Sequence, residues 1–385
     1  MPSLNCASIE SNVFLSNAKR ISSAGLPTTG KDLRCVDVDA EYKVMRLLGE
    51  GTYGKVHLAQ HRTTSTVVAL KHMHKDETKL KDFQREFELS YYMSPHRNIV
   101  ITFDVAFETK HSYCFVQEYA PCGDLFEAIP PQQGLPEDTV KDVMMQLVSA
   151  IEFMHSKDIV HRDIKPENVL VYDEALKLVK LTDFGLARKG GTLVKKKNSS
   201  IPYTPPEICD AVYNEGYTSD TSTDVWSFGV TLYCCMTGNF PWEKADIDDA
   251  YYNEFLGWQK RKTVKIPSQW RKFSPRLMRL FRRFLEVKPE RRCRIEEIHK
   301  YADNKWVRRR TASRYATSEI NGDRSDSGEP NLTKLNMMFK AAGASAGEGL
   351  EEKEFREQRL REWILSLPEG ETSGSAHGNT LSVPS

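Results

Sequence analysis

Short runs of alternating apolar and polar residues mark the first third of the chain. Apolar residues spaced three and four apart mark most of the rest. Alternation predicts strands and the longer spacing predicts helices, because side chains return to one face every second residue on a strand and every 3.6 residues on a helix. Val44 to Gly49 and Lys55 to Arg62 read as two strands, the second with Val56, Leu58 and Gln60 on one face. Val67 to Lys71 and Tyr113 to Tyr119 are two more. Between these pairs, residues 78–93 place Leu80, Phe83, Phe87 and Tyr91 at helical spacing. From Glu137 to Lys157 a longer helix turns Val140, Met144, Leu147, Val148, Ile151 and Met154 to one side, and its methionines read as core. A short hairpin follows, from Val169 to Tyr172 and from Lys177 to Leu181. Val225 to Met236 reads as a buried helix, and Leu277, Leu280, Phe281, Phe284 and Leu285 mark another.

The ends lack this patterning. Residues 1–40 mix Ser, Thr, Asn and Gly without a sustained period and read as a flexible leader, and residues 309–385 read as a disordered tail. In the tail, Phe355, Leu360, Trp363, Ile364 and Leu367 would share one side of a helix over residues 351–367. Such a helix is either a transient solvated element or a docking or autoinhibitory one. That leaves residues 41–308 as the folded unit, a length that suits one large two-lobed domain.

Composition narrows the classes. A formal net charge of +1 over 385 residues gives no ground for nucleic acid as the main partner. No apolar run is long enough for a membrane span. Eight scattered cysteines without C-x-x-C pairs predict reduced thiols in a cytoplasmic protein, with the nucleus as second compartment, and argue against a zinc site.

The chemistry lies in motifs joined to these elements. Gly49-Glu50-Gly51-Thr52-Tyr53-Gly54-Lys55-Val56 has the form G-x-G-x-x-G-x-V between two strands. Dinucleotide folds use similar spacing to open a helix, whereas a strand follows here. Glycines there permit close backbone approach to phosphates, though glycine hairpins are also ordinary turns. Lys71 ends a strand, which by itself describes a surface lysine. Glu86 and Glu88 on the next helix are its candidate partners, and Glu88 reads better as solvated. Asp124 suits either a ribose or basic-substrate contact or a helix N-cap. His161-Arg162-Asp163-Ile164-Lys165-Pro166-Glu167-Asn168 sets a carboxylate between a cation and an amide. Asp183-Phe184-Gly185 leaves the hairpin, and Pro205-Pro206-Glu207, Asp224-Val225-Trp226-Ser227-Phe228-Gly229 and Arg292 follow.

In this order, these segments resemble the eukaryotic serine/threonine protein kinases over roughly residues 42–308. Tyr119 to Phe126, Ile129 to Gln132, Gly134 to Val140 and Thr237 to Trp242 most resemble the SH3-binding-domain kinase family. The resemblance implies a two-lobed α+β fold with a small β-rich lobe carrying one helix and a larger helical lobe. It implies ATP and Mg²⁺, protein substrates and a monomer. Leu48, Gly49, Glu50, Gly51, Thr52, Tyr53, Gly54, Lys55, Val56 and Ala69 would surround the nucleotide. The backbone of Glu118 and Ala120 would meet its base, with Gln117 limiting access behind it. Lys71, held by Glu86, would pair the α- and β-phosphates, and Asp183 and Asn168 would bind the metal. Asp163 would accept the substrate hydroxyl's proton and Lys165 would steady the transferring charge. Lys165 with Pro166-Glu167 is the serine/threonine pattern, and Arg292 is spaced to pair with Glu207.

Some features depart from the pattern. Ser199-Ser200 replaces the usual Gly-Thr and Pro205 replaces an alanine, which predicts altered peptide docking. Lys195-Lys196-Lys197 stands where many kinases carry an activating phosphosite, which suggests that no phosphate is needed there. P-x-x-P occurs at Pro202 to Pro205 inside the predicted loop, and the tail has only Pro330, Pro368 and Pro384, so little supports SH3-domain partners. A pseudokinase-like scaffold is the alternative, but no catalytic residue is missing.

Overall fold

The structure, a computed structural model, describes residues 33–51, 54–195, 201–211 and 216–308. Both tails, the helix at 351–367, Thr52, Tyr53, Lys196, Lys197, Ser199 and Ser200 therefore lie outside the described residues.

A one-turn helix α1 (Val38–Glu41), capped by the Asp37 carboxylate, leads into an antiparallel sheet. Its strands are β1 (Tyr42–Gly51), β2 (Gly54–His61), β3 (Val67–His74), β4 (Thr102–Glu108) and β5 (Ser112–Glu118), in the spatial order β1-β2-β3-β5-β4. One face buries Val36, Tyr42, Ala59, Val68 and Leu70 with Phe103, Phe107, Cys114 and Val116. The other packs Met73, Ala106 and Phe115 against Phe83 and Phe87 of α2 (Leu80–Met93). The helix is rotated from the sequence expectation. Glu86, Ser90 and Met93 are buried, while Leu80 and Tyr91 are 38% and 46% exposed. Helical spacing supplies two adjacent stripes, and only contact with the sheet selects between them.

The segment before β1 also differs from a free leader. The Val36 amide donates to Glu108 O at 2.8 Å and the Glu108 amide to Arg34 O at 3.0 Å, so residues 34–36 extend the sheet along β4. A segment this short has no readable period, and Val36 in the core, with Leu33 and Val38 packed beside it, anchors it.

The second lobe is built on helices. After the short α3 (Leu125–Ala128) comes α4 (Glu137–Ser156), with the expected apolar face buried. β6 (Ile159–Val160), β7 (Val169–Val171) and β8 (Val179–Leu181) follow, and β7 and β8 form the expected hairpin. The loop from 186 to 207 has more order than its sequence suggests. β9 (Arg188–Lys189) pairs with β6, and β10 (Leu193–Lys195) pairs with β11 (Gly216–Thr218) beyond the short α5 (Pro206–Cys209). α6 (Thr221–Thr237) is buried along almost all of its length, beginning at an Asp220 cap. α7 (Ala250–Gln259) and α8 (Pro275–Phe284) pack around it through Trp226, Trp242, Phe255, Trp270 and Phe281.

Candidate active site

Lys71 lies on β3 between Val56 of β2 and Phe115 of β5, which aims it off the sheet toward α2. Its Nζ is 2.5 Å from Glu86 Oε1 and 3.1 Å from Asp183 Oδ1. Glu88 is exposed, so Glu86 is the partner. Burial works against a charged Lys71, but the Asp183 and Glu86 carboxylates outweigh it and push its pKa up. The Lys71 charge in turn lowers the Asp183 carboxyl to about 2. Phe184 is buried with its ring 5.2 Å from that of His161, which seats the Asp-Phe-Gly turn inside the larger lobe. A Cβ on Gly185 would come 2.9 Å from Glu86 Oε2, so a side chain there would crowd the Lys71 pair.

The glycine hairpin divides into two kinds of position. A Cβ on Gly54 would stand 1.8 Å from the His72 carbonyl oxygen, so this glycine serves the close approach of β2 to β3. A Cβ on Gly49 or Gly51 would meet no described atom within 4 Å. Nothing described in the protein itself demands glycine at those two. Leu48 is half-buried, and Glu50 pairs with Lys55 at 3.2 Å across the hairpin.

Behind the cleft, Ala69 is buried and Gln117 donates to Thr102 Oγ1 at 3.0 Å, which satisfies the buried amide. Glu118 makes contacts its sequence did not reveal. Its amide donates to Ile101 O, and its Oε1 accepts from the Ile101 amide at 2.7 Å and from Lys180 Nζ at 2.6 Å. What Glu118 can offer a base is its carbonyl. Ala120, two residues beyond β5, lies on the half-buried connection to α3. Asp124 Oδ1 accepts from the Glu127 amide at 2.9 Å and so caps α3.

The catalytic loop hangs from a buried carboxylate on α6. Asp224 is fully buried; its Oδ1 accepts from the Arg162 amide at 2.7 Å, and its Oδ2 from the His161 amide at 2.8 Å. Its Oδ2 also lies 2.9 Å from His155 Nε2, which gives His155 a structural place. Burial alone would raise the Asp224 pKa, but these partners reverse that and lower it. Arg162 takes φ 70°, a left-handed conformation unfavourable for a residue with a Cβ. Its guanidinium donates to Leu186 O at 2.8 Å and to the Tyr217 hydroxyl at 2.7 Å, joining the loop to β11. Asp163 follows. Its Oδ2 is 2.9 Å from Lys165 Nζ and accepts from Asn168 Nδ2, also at 2.9 Å. Asn168 Nδ2 donates to Asp163 O as well. Lys165 stays charged: burial opposes it, but Asp163 and Glu167 outweigh burial and raise its pKa.

A small cavity beside Asp163 is lined by Tyr203, Thr204, Pro205 and Ile208. The Tyr203 hydroxyl donates to Glu167 Oε2 at 3.2 Å. Pro205 immediately precedes α5, and Glu207 meets Arg292 in two parallel bonds of 2.9 and 3.0 Å. The Arg292 side chain is fully buried and also donates to Ser222 O and Glu286 O. This is the pair expected from spacing. Tyr203, Thr204 and Pro205 are buried, so the P-x-x-P segment is not presented as an SH3 ligand.

Lys71, Glu86, Asp163, Lys165, Asn168 and Asp183 thus occupy one connected site. Asp224, Lys180 and Tyr217 were missed. Asp224 lay in a noted motif without a role, whereas nothing local marks Lys180 or Tyr217.

The protein kinase domain family profile matches residues 42–306. A Danio rerio protein named serine/threonine-protein kinase SBK1 is 45% identical over 323 residues, covering 84% of this chain and 84% of that one. Its Mus musculus namesake is 46% identical over 308 residues, covering 77% and 74%. The Drosophila melanogaster serine/threonine-protein kinase meng-po is 42% identical over 319 residues, covering 79% and 70%. With a kinase-domain match over most of its length and these relatives, the chain belongs to the serine/threonine protein kinases, in the SBK family.

Proposed function

We propose that the protein transfers the γ-phosphoryl group of ATP to serine and threonine hydroxyls of protein substrates, with Asp163 taking the hydroxyl proton. The arrangement of Asp163 carries this reading. Its carboxylate is held by Lys165 and Asn168 at 2.9 Å each, on a loop fixed from beneath by Asp224. General-base work needs that kind of fixed carboxylate within hydrogen-bond reach of the proton. Lys165 brings a positive charge to the place where phosphoryl charge develops. Lys71, already held by Glu86, is set to pair phosphate oxygens.

Asp183 and Asn168 are the residues that would hold Mg²⁺, and both fit a hard cation. Asp183 remains ionised, and Asn168 commits its amide nitrogen to Asp163, which leaves its oxygen as the available donor atom. When bound, Mg²⁺ neutralises charge on the phosphates. The space beside Gly49 and Gly51 suits phosphates approaching the backbone. The same reading takes the protein as a cytoplasmic monomer.

Transfer from radiolabelled ATP to generic protein substrates tests it, comparing wild type with Asp163→Ala. Wild-type turnover on the order of 1–100 s⁻¹, lost in the variant, is expected. ATP binding without transfer by either protein would sink the reading and favour a scaffold.

A further inference from the structure

The net charge of +1 hides a strong segregation. Between Glu254 and Glu286 the chain carries ten Lys and Arg residues and no Asp or Glu. This stretch runs from the end of α7 through a loop into α8, and no catalytic side chain lies on it. Some of its cations are used internally. Arg282 lies 3.8 Å over the Trp258 ring and donates to Trp258 O, Lys272 donates to Met236 O, and Arg283 pairs with Glu297. Lys260, Arg261, Lys262, Lys265, Arg276 and Arg279 are exposed, and among the described residues none of them forms an ion pair. Arg261 lies close enough to Arg282 to help lower its pKa, after burial, so the loop and α8 share one positive region.

The loop carries a second, independent feature. Val264 is 98% exposed between Lys262 and Lys265, followed by a half-exposed Ile266. Its position is fixed from below. The Lys262 amide donates to Gly257 O, Arg271 Nε donates to Ile266 O, and Trp258 and Trp270 are buried beneath. A bare aliphatic side chain among unpaired cations, on a supported loop, gains nothing from water. It suits a surface that is anionic outside and apolar just within.

We propose that the loop Lys260–Ile266 and the arginine face of α8 dock the protein on anionic phospholipid membranes, with Val264 entering the boundary between headgroups and acyl chains. Each cation near such a surface strengthens binding by about fivefold at most, screened by salt over about a Debye length. Several together with one apolar side chain give reversible peripheral binding, and no spanning segment is involved. A nucleic acid would also attract the cations, but its phosphate-lined exterior offers Val264 no apolar phase.

The test is co-sedimentation of the full chain with phosphatidylcholine vesicles, with and without one-third phosphatidylserine. The wild type should pellet only with phosphatidylserine and be released by raised salt. The combined variant Lys260→Gln, Arg261→Gln, Lys262→Gln and Lys265→Gln should partition at least about 100-fold more weakly. Val264→Ser should weaken binding about threefold or more without changing net charge. Circular dichroism confirms that both variants fold, and phosphoryl transfer in solution should match the wild type. Three results overturn the proposal: no wild-type pelleting, equal pelleting of the four-cation variant, or undiminished binding by Val264→Ser. Short duplex DNA bound through the same four cations, with Val264→Ser neutral, would reassign the surface to nucleic acid.

Discussion

Asp224→Asn separates support of the catalytic loop from the chemistry done there. The wild-type carboxylate accepts from two backbone amides and faces His155 with no solvent exposure. An asparagine can keep one oxygen on the Arg162 amide. Its NH₂ then replaces Oδ2, opposite the His161 amide, where donor faces donor. One buried amide loses its acceptor, at a cost of about 1–3 kcal/mol. For a domain of this size that lowers Tm by roughly 2–12 °C. Asp224→Ala orphans both amides and costs about 2–6 kcal/mol, a large share of ordinary domain stability of about 5–15 kcal/mol. The asparagine variant is therefore the useful one. Asp163 lies one residue beyond Arg162, whereas Lys71 and Glu86 are anchored in the other lobe. kcat should fall by about tenfold or more through misplacement of Asp163, with KM for ATP changing by less than about threefold. Thermal unfolding and steady-state kinetics on one preparation measure both. Unchanged Tm and kcat would refute the reasoning, as would a loss appearing only in KM for ATP.

Four other outcomes follow from the same geometry. Gly54→Ala should lower Tm clearly through its clash with His72 O, while Gly51→Ala should leave Tm nearly unchanged and weaken ATP binding; thermal shift with and without nucleotide distinguishes them. Arg292→Met leaves Glu207 without its partner and should cost about 3–5 kcal/mol by denaturant unfolding, and Arg292→Lys should not restore the two parallel bonds. Because the folded pKa of Asp183 lies below its ordinary 3.8, its contribution to stability is complete above that value and is lost as pH falls through about 2. Carboxyl titration by NMR should show Asp183 moving up toward 3.8 in Lys71→Met, and no movement would contradict the pairing. Tyr217→Phe removes the hydroxyl from Arg162 and should speed hydrogen exchange in β10 and β11 while lowering kcat; unchanged exchange and kcat would count against that link.

Much of the fold was legible because most of its elements obey one period. The sheet strands fall where the apolar runs and turns mark them, and α4 and α8 bury the residues their spacing selects. In α2 the period was right and its central pair, Phe83 and Phe87, is buried against the sheet, but Leu80 and Tyr91 at the ends of that stripe are left exposed while Glu86, Ser90 and Met93 are buried. Residues 34–36 and the β10–β11 pair were hidden because each is too short for a period and exists only through its partner. The site was legible in parts. Lys71, Asp163 and Asp183 stand in recognisable local strings, whereas Glu118 with Lys180 and Arg162 with Tyr217 are pairs 62 and 55 residues apart. No local pattern announces a contact at that distance.

Arg162 shows why these hidden contacts matter. A left-handed backbone at a residue with a side chain costs on the order of 1–3 kcal/mol and persists only when its surroundings impose it. Here the amide is taken by Asp224 on α6, one end of the guanidinium by Leu186 beyond the Asp-Phe-Gly turn, and the other by Tyr217 on β11. Three separate parts of the larger lobe thus converge on the residue immediately before Asp163. Kinase loops are commonly ordered by a phosphate that recruits arginine. In this chain the terminal nitrogens of Arg162 already have a carbonyl and a tyrosine hydroxyl as acceptors, and Lys195 rather than an acid follows along β10. The backbone just before Asp163 is then held by uncharged acceptors and one buried carboxylate.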